Sequence, residues 1–196
     1  MRRRIIDDNR HAFFVTFSCY RRRKLLDDDR AKGAVVHYLS AQLKNQSGTC
    51  AGFVIMPDHV HAMVGFQQPG SLSAFMGQWK RRSSLALKNL FQTKLTGYGA
   101  KIDLNGPMWQ PKYYTFNVFS PAKAREKLVY MHNNPVTAGL VQKAEDWRFS
   151  SASWYLLNRS VGVQLTPLRD TASWPAATGN LLPVPPTDMP LVRVAA

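Results

Sequence analysis

The chain has 196 residues, 45% of them hydrophobic and 11% aromatic, enough for one domain with a real core and too apolar for wholesale disorder. Its 26 lysines and arginines against 12 acidic residues give a formal charge of +14, which selects a polyanionic partner, nucleic acid before membrane. No stretch approaches the ~18–20 continuous apolar residues of a membrane span, and the basic start MRRRIIDDNR has no apolar run behind it, so the reading is cytoplasmic, without a membrane partner.

HAFFVTFSC, residues 11–19, alternates Phe13, Val15 and Phe17 against Phe14, Thr16 and Ser18, the period of a strand. A basic block, Arg21, Arg22, Arg23 and Lys24, follows. Asp27, Asp28 and Asp29 then suit the positive end of a helix that continues through Ala31, Val35, Tyr38, Leu39 and Leu43. CAGFVIM and HVHAMVGF are short apolar runs joined by Pro57-Asp58, a turn pair, and predict a β-hairpin.

Ser71 is placed to cap a helix whose apolar stripe is Leu72, Phe75, Met76, Trp79, Ala86, Leu87 and Leu90. TKLTGYGAKIDLNGP reads as a loop, and MWQPKYYTFNVF as a strand with an edge or a break at Pro111. Ser120 as N-cap and Pro121 at the first helical position open a last helix through about Asn134. The order is βαββαβ plus an added C-terminal helix, which predicts an α+β, ferredoxin-like sandwich. From Ser160 onward the chain holds six of its twelve prolines, so residues 1–159 read as the domain and 160–196 as a mostly irregular tail. Cys19 and Cys50 lack metal or redox spacing and read as small buried thiols.

Strand alternation places His59 and His61 on one face, away from Val60, Ala62 and Val64. Two imidazoles in register suit one divalent cation; satisfied core histidines are the alternative. They cannot complete a structural zinc site, which needs four protein ligands, so open positions would remain for substrate oxygens. On the last helix Tyr130 and Asn134 lie four apart on a face distinct from the Ala124, Leu128 and Met131 stripe. They read either as a phenol and an amide oxygen presented together at the negative end of the helix dipole, where a cation is welcome, or as an amphipathic tyrosine and a helix cap. No acidic residue falls between Asp58 and Asp103, whereas Lys80, Arg81 and Arg82 do, and these join Arg21, Arg22 and Arg23 as candidate phosphate contacts. Trp79 and the Tyr113-Tyr114 pair are the aromatics available for base stacking, with core packing the better account of Trp79.

MPDHVHAMV followed some seventy residues later by YMHNNPVTAGLV resembles the HUH single-strand transposases with one catalytic tyrosine, namely the REP-associated tyrosine transposases and their insertion-sequence relatives. The resemblance runs from about His11 to Tyr155 and includes DWRFSSASWYL. It implies the HUH endonuclease variant of the RRM-like fold, with His59 and His61 as metal ligands, Asn134 as a third, amide-oxygen ligand, and Tyr130 as the nucleophile. It further implies cleavage and rejoining of single-stranded or hairpin DNA through a 5′-phosphotyrosine, with no protein partner required, as monomer or homodimer; an incomplete, oxygen-rich ligand set favours magnesium or manganese, with zinc the alternative that two imidazoles leave open. Lys127, one turn before Tyr130, would favour the phenolate and contact DNA. The first strand departs from the family, since FFVTFSCYRRR lacks the histidine of the usual YHVT segment. A host-retained DNA-binding protein without transposition and a water-using metal nuclease are the competing functions; an RNA-binding sheet would instead carry exposed aromatics on its central strands.

Overall fold

A computed structural model describes residues 12–167. Four strands, β1 (Ala12–Ser18), β2 (Gly48–Ile55), β3 (His59–Phe66) and β4 (Tyr114–Val118), form one antiparallel sheet in the order β2-β3-β1-β4. With α1 (Asp29–Asn45) after β1 and α2 (Ser71–Thr93) after β3, this is the ferredoxin-like arrangement. A one-turn α3 (Thr96–Gly99) interrupts the predicted loop. The added helix α4 (Pro121–Thr137) and a short α5 (Ala152–Leu157) follow β4.

Period-two alternation divides the sheet between two cores. Phe13, Val15, Phe17, Val60, Ala62 and Val64 pack against Val35 and Leu39 of α1 and Phe75 and Trp79 of α2. Phe14, Val54 and Met63 of the opposite face pack against Ala124, Leu128 and Met131 of α4. Trp79 is fully buried, its indole N–H donating to the Val35 carbonyl, as core packing predicts. Cys19 and Cys50 are buried thiols, and burial pushes each up to about 12.

Several boundaries differ from the sequence reading. Asp28 caps α1 and Ser120 caps α4 as expected, but at α2 Ser71 is already helical and donates its hydroxyl back to Gln68. Gly70, at φ +84°, makes the entry instead, a conformation that costs glycine least. The aromatic run 108–119 yields only the five residues of β4, because Trp109 is taken up in an isolated bridge to Cys19 and Pro111 cannot donate to a ladder. α4 runs on through Pro135 to Thr137, where the proline's missing N–H removes one bond from the final turn, and Gly139 at φ +68° ends it.

Residues 149–151 line the outer edge of β2: Ile55 N–H donates to Phe149 O and Ser151 N–H to Phe53 O. The first residues of the expected tail are packed there too, with Val163 buried in the core and Thr166 N–H donating to Cys50 O. The tail beyond residue 167 lies outside the described residues.

Gly52, at a bulge in β2, lets α4 approach: a Cβ there would meet Leu128 Cδ2 at 2.5 Å and Ser151 Oγ at 2.9 Å. That hydroxyl is tied to both Phe53 N–H and Phe53 O, so it cannot swing aside freely. Gly52→Ala is therefore expected to lower stability by about 1–3 kcal/mol, the range of core overpacking, as read by urea unfolding.

Candidate active site

β3 presents His59 and His61 on the α4 side of the sheet, directly opposite Ser18 and Thr16 of β1. Both Nδ1 atoms are engaged. Thr16 Oγ1 lies 2.7 Å from His61 Nδ1, and Asp58 Oδ1 lies 2.6 Å from His59 Nδ1. A carboxylate only accepts, so His59 Nδ1 donates to Asp58, and Nε2 is left as the ring's outward-facing nitrogen. Asp58 is itself held by Arg22, whose Nε sits 3.3 Å from Oδ2 and whose Nη1 donates to Ser18 at 2.9 Å. Arg21 and Arg22 both adopt positive φ, 55° and 56°, in the 3-10 turn Tyr20–Arg22; this strained backbone aims the guanidinium across the end of β3.

The histidine face is less open than its polar residues suggest. His61 is only 4% exposed, stacked on Phe14 with ring centroids 5.4 Å apart, while His59 stays partly accessible. α4 covers the half of the face that carries Phe14 and Met63, and His61 sits at the margin of that cover. Burial holds the His61 imidazole neutral, pulling its pKa down to about 3, with His59, Arg22 and Lys127 adding to the effect. Its Nε2 is buried and has no hydrogen-bond partner. A neutral ring with an orphaned, inward-facing nitrogen, beside a second ring 4.8 Å away, is the donor chemistry of a divalent-cation site. Among the described residues no group of three His, Cys, Asp or Glu side chains forms a fuller cage.

α4 brings Tyr130 to this pair, its ring 5.5 Å from that of His61 and 48% exposed. Lys127 lies one turn back, its ammonium 5.9 Å from the Tyr130 ring centroid and also over Phe14 and Phe116. Asn134 is one turn on, and its amide nitrogen donates to the Tyr130 carbonyl at 3.2 Å, leaving the amide oxygen as an acceptor. His61 thus stands between His59 and Tyr130, with Lys127 against the Tyr130 ring and Asn134 one turn further along the helix.

The other basic candidates are dispersed. Arg23 is bound to the carbonyls of Tyr20 and Pro107, and Lys80 to those of Gln110 and Pro111, so both brace loops. Arg81 and Arg82 stand exposed on α2, across the sheet from the histidines. Of the arginine block, Arg22 alone is linked to the histidine pair. Thr16 and Asp58 were not singled out from sequence. Thr16 shares the histidine face through strand alternation, and Asp58 adjoins His59, but each also reads as an ordinary strand or turn residue.

His132, on the flank of α4, lies 2.7 Å from Ser151 Oγ and packs on Tyr155, clamping the helix to the edge of β2. Burial pushes its pKa down from 6.5 to about 4. The unfolded chain therefore takes up a proton near pH 6.5 that the folded chain refuses until about pH 4. Stability should be full above 6.5 and fall as the pH drops toward 4; urea midpoints in that window will show a shallower dependence in His132→Phe.

A ferredoxin-like sheet with a His-x-His strand facing a helix-borne tyrosine is the arrangement of the HUH class with one tyrosine. The model of the family described as "Transposase IS200 like" matches residues 9–134, more than half of the chain. The chain belongs to that family, whose members are DNA strand transferases. The fold matches the structure of a REP-associated tyrosine transposase bound to a REP hairpin, with a TM-score of 0.61 and 17% identity over 91% of this chain and 99% of that one. A structure from Deinococcus radiodurans R1, provisionally assigned as a transposase, aligns with a TM-score of 0.46 and 20% identity over 62% of this chain and 88% of that one. No curated protein matches the chain.

Proposed function

We propose that this transposase cleaves and rejoins single-stranded or hairpin DNA through a covalent bond to Tyr130. The observation that carries this reading is the approach of Tyr130 to His61, whose buried Nε2 is without a partner. His59 and His61, with the Asn134 amide oxygen as third ligand, would hold a divalent cation, magnesium or manganese. When bound, that cation supplies charge neutralisation for the scissile phosphate.

The chain's own residues do the rest. Tyr130 Oη attacks phosphorus, the bond from phosphorus to the 3′-oxygen breaks, and the phenolic proton is given up as the leaving 3′-oxygen gains one. The product is a 5′-phosphotyrosine and a free 3′-hydroxyl, so the phosphoester is conserved and rejoining needs no ATP. Lys127 sets a positive charge beside the developing phenolate. Arg22 and Asp58 fix the His59 ring, and Thr16 fixes that of His61, as the outer partners of a metal ligand do. Arg22, beside Asp58, and Lys127, beside Tyr130, would contact DNA together with Arg21, while Arg23, Lys80, Arg81 and Arg82 would contribute through the general field of a +14 chain.

A hairpin substrate is supported by the hairpin bound to the REP-associated relative. The test is incubation with end-labelled hairpin DNA and Mn²⁺, followed by denaturing electrophoresis. A labelled protein band is the expected outcome. Cleavage with no covalent band would replace this reading by a water-using nuclease.

A further inference from the structure

Three aromatic side chains stand out as strongly exposed among the described residues, Tyr114, Phe119 and Tyr130, and all belong to β4, the residue after it, or α4. Tyr130 has its role above. The position of Tyr114 is specific. In the sheet register Tyr114 pairs with Thr16, and Thr16 pairs with His61. Directly paired residues project to the same face, and the Thr16 hydroxyl meets the His61 ring there. Tyr114, Thr16 and His61 therefore form one row across three strands, with Tyr114 two strand spacings, about 10 Å, from His61.

The neighbouring row, Phe116, Phe14 and Met63, lies toward α4, where Phe14 and Met63 are buried under the helix and Lys127 sits over the rings of Phe14 and Phe116. Tyr114 lies beyond that cover and is 48% exposed. Its sequence neighbour behaves oppositely: Tyr113 turns to the α1/α2 side, packs on the main core and approaches Ser73 of α2. The adjacent tyrosines thus split into a core residue and an exposed ring on the floor of the reaction site.

We propose that Tyr114 is a base-stacking subsite, taking the face of an unpaired nucleobase that flanks the scissile phosphate. The row carries single-stranded DNA from the phosphate at His61 and Tyr130 toward the β4 edge, with Arg22 and Lys127 as cationic groups at the same end. A paired base in a duplex has both faces occupied by its neighbours, so this platform accepts only an unstacked nucleotide, which adds a preference for single-stranded flanks. It rests on the reading of this trough as the DNA site.

The test compares two probes of equal backbone charge, a 12-nucleotide oligo(dT) and an abasic 12-mer, binding to the full chain carrying Tyr130→Phe so that chemistry is silent. Anisotropy should show tighter binding of oligo(dT) by about 5- to 100-fold, the range carried by one base-aromatic stack. Tyr114→Ala in the same background should lose most of that preference with abasic affinity unchanged, and Tyr114→Trp should keep it. Phe119→Ala, past the end of β4 and packed on Phe116 rather than in the Tyr114 row, should leave it intact. Retention of the base preference by Tyr114→Ala, or its loss in Phe119→Ala alone, overturns the proposal. Failure of both oligomers to bind overturns the DNA-site reading with it, whereas covalent labelling of the wild-type chain combined with an unchanged base preference in Tyr114→Ala overturns the stacking subsite alone.

Discussion

Tyr130→Phe is expected to abolish the covalent protein–DNA band and to lower strand cleavage by about 10⁴-fold or more, the scale on which loss of a nucleophile acts. The substitution removes one oxygen. The ring contacts with His61 at 5.5 Å and Phe14 at 6.2 Å are ones a phenylalanine can keep, so stability and DNA affinity should hardly change. That contrast separates the readings. If the phenol attacks phosphorus, no other group on α4 replaces it, because Lys127 is a cation held beside Glu126 and the Asn134 amide is no nucleophile. If water attacks instead, cleavage survives the change. Unlabelled cleavage by Tyr130→Phe at near wild-type rate would eliminate the tyrosine mechanism, and binding without cleavage by the wild type across many hairpins would favour a host-retained binding protein.

The second large effect is expected at His61. Its Nε2 is the one buried imidazole nitrogen without a partner among the described residues. A buried polar atom left unpaired costs about 1–3 kcal/mol, so the fold retains it at the expense of stability. A cation would convert that cost into binding. Mn²⁺ at a hundred times its dissociation constant should stabilise the wild-type chain by about 2.7 kcal/mol, visible as a rise in melting temperature. In His61→Ala the rise should vanish, and Mn²⁺ affinity should fall by more than the about 10- to 100-fold that loss of a mere supporting partner costs. Because the readout is thermal, it is independent of cleavage. A His61→Ala chain that still gains stability from Mn²⁺ to the wild-type extent would place the cation elsewhere.

The strands, the hairpin, the helix starts near Asp27–Asp29 and at Ser120, and the candidacy of His59, His61, Tyr130 and Asn134 were legible because they rest on local rules. Alternation fixes which side chains share a strand face, a polar cap with a proline fixes a helix start, and the two family motifs are contiguous stretches. Those rules reach only a few residues along the chain. They cannot tell that Lys80 and Arg23 spend their charges on loop carbonyls, because the carbonyls come from residues 107–111. Nor can they tell Tyr113 from Tyr114, since a helix packs on one face of β4 and not over the other at that position.

The sequence by itself therefore determined the order of elements, the basic character and the candidates for the reacting groups. Tertiary structure decided which of them meet. Tyr130 reaches His61 because Gly52 has no side chain to hold α4 off the sheet, and Asp58 orients His59 because Arg22, in a left-handed turn, reaches across from the end of β1. These contacts join residues far apart in the chain, and their distances are set by sheet register and core packing, which depend on every element at once.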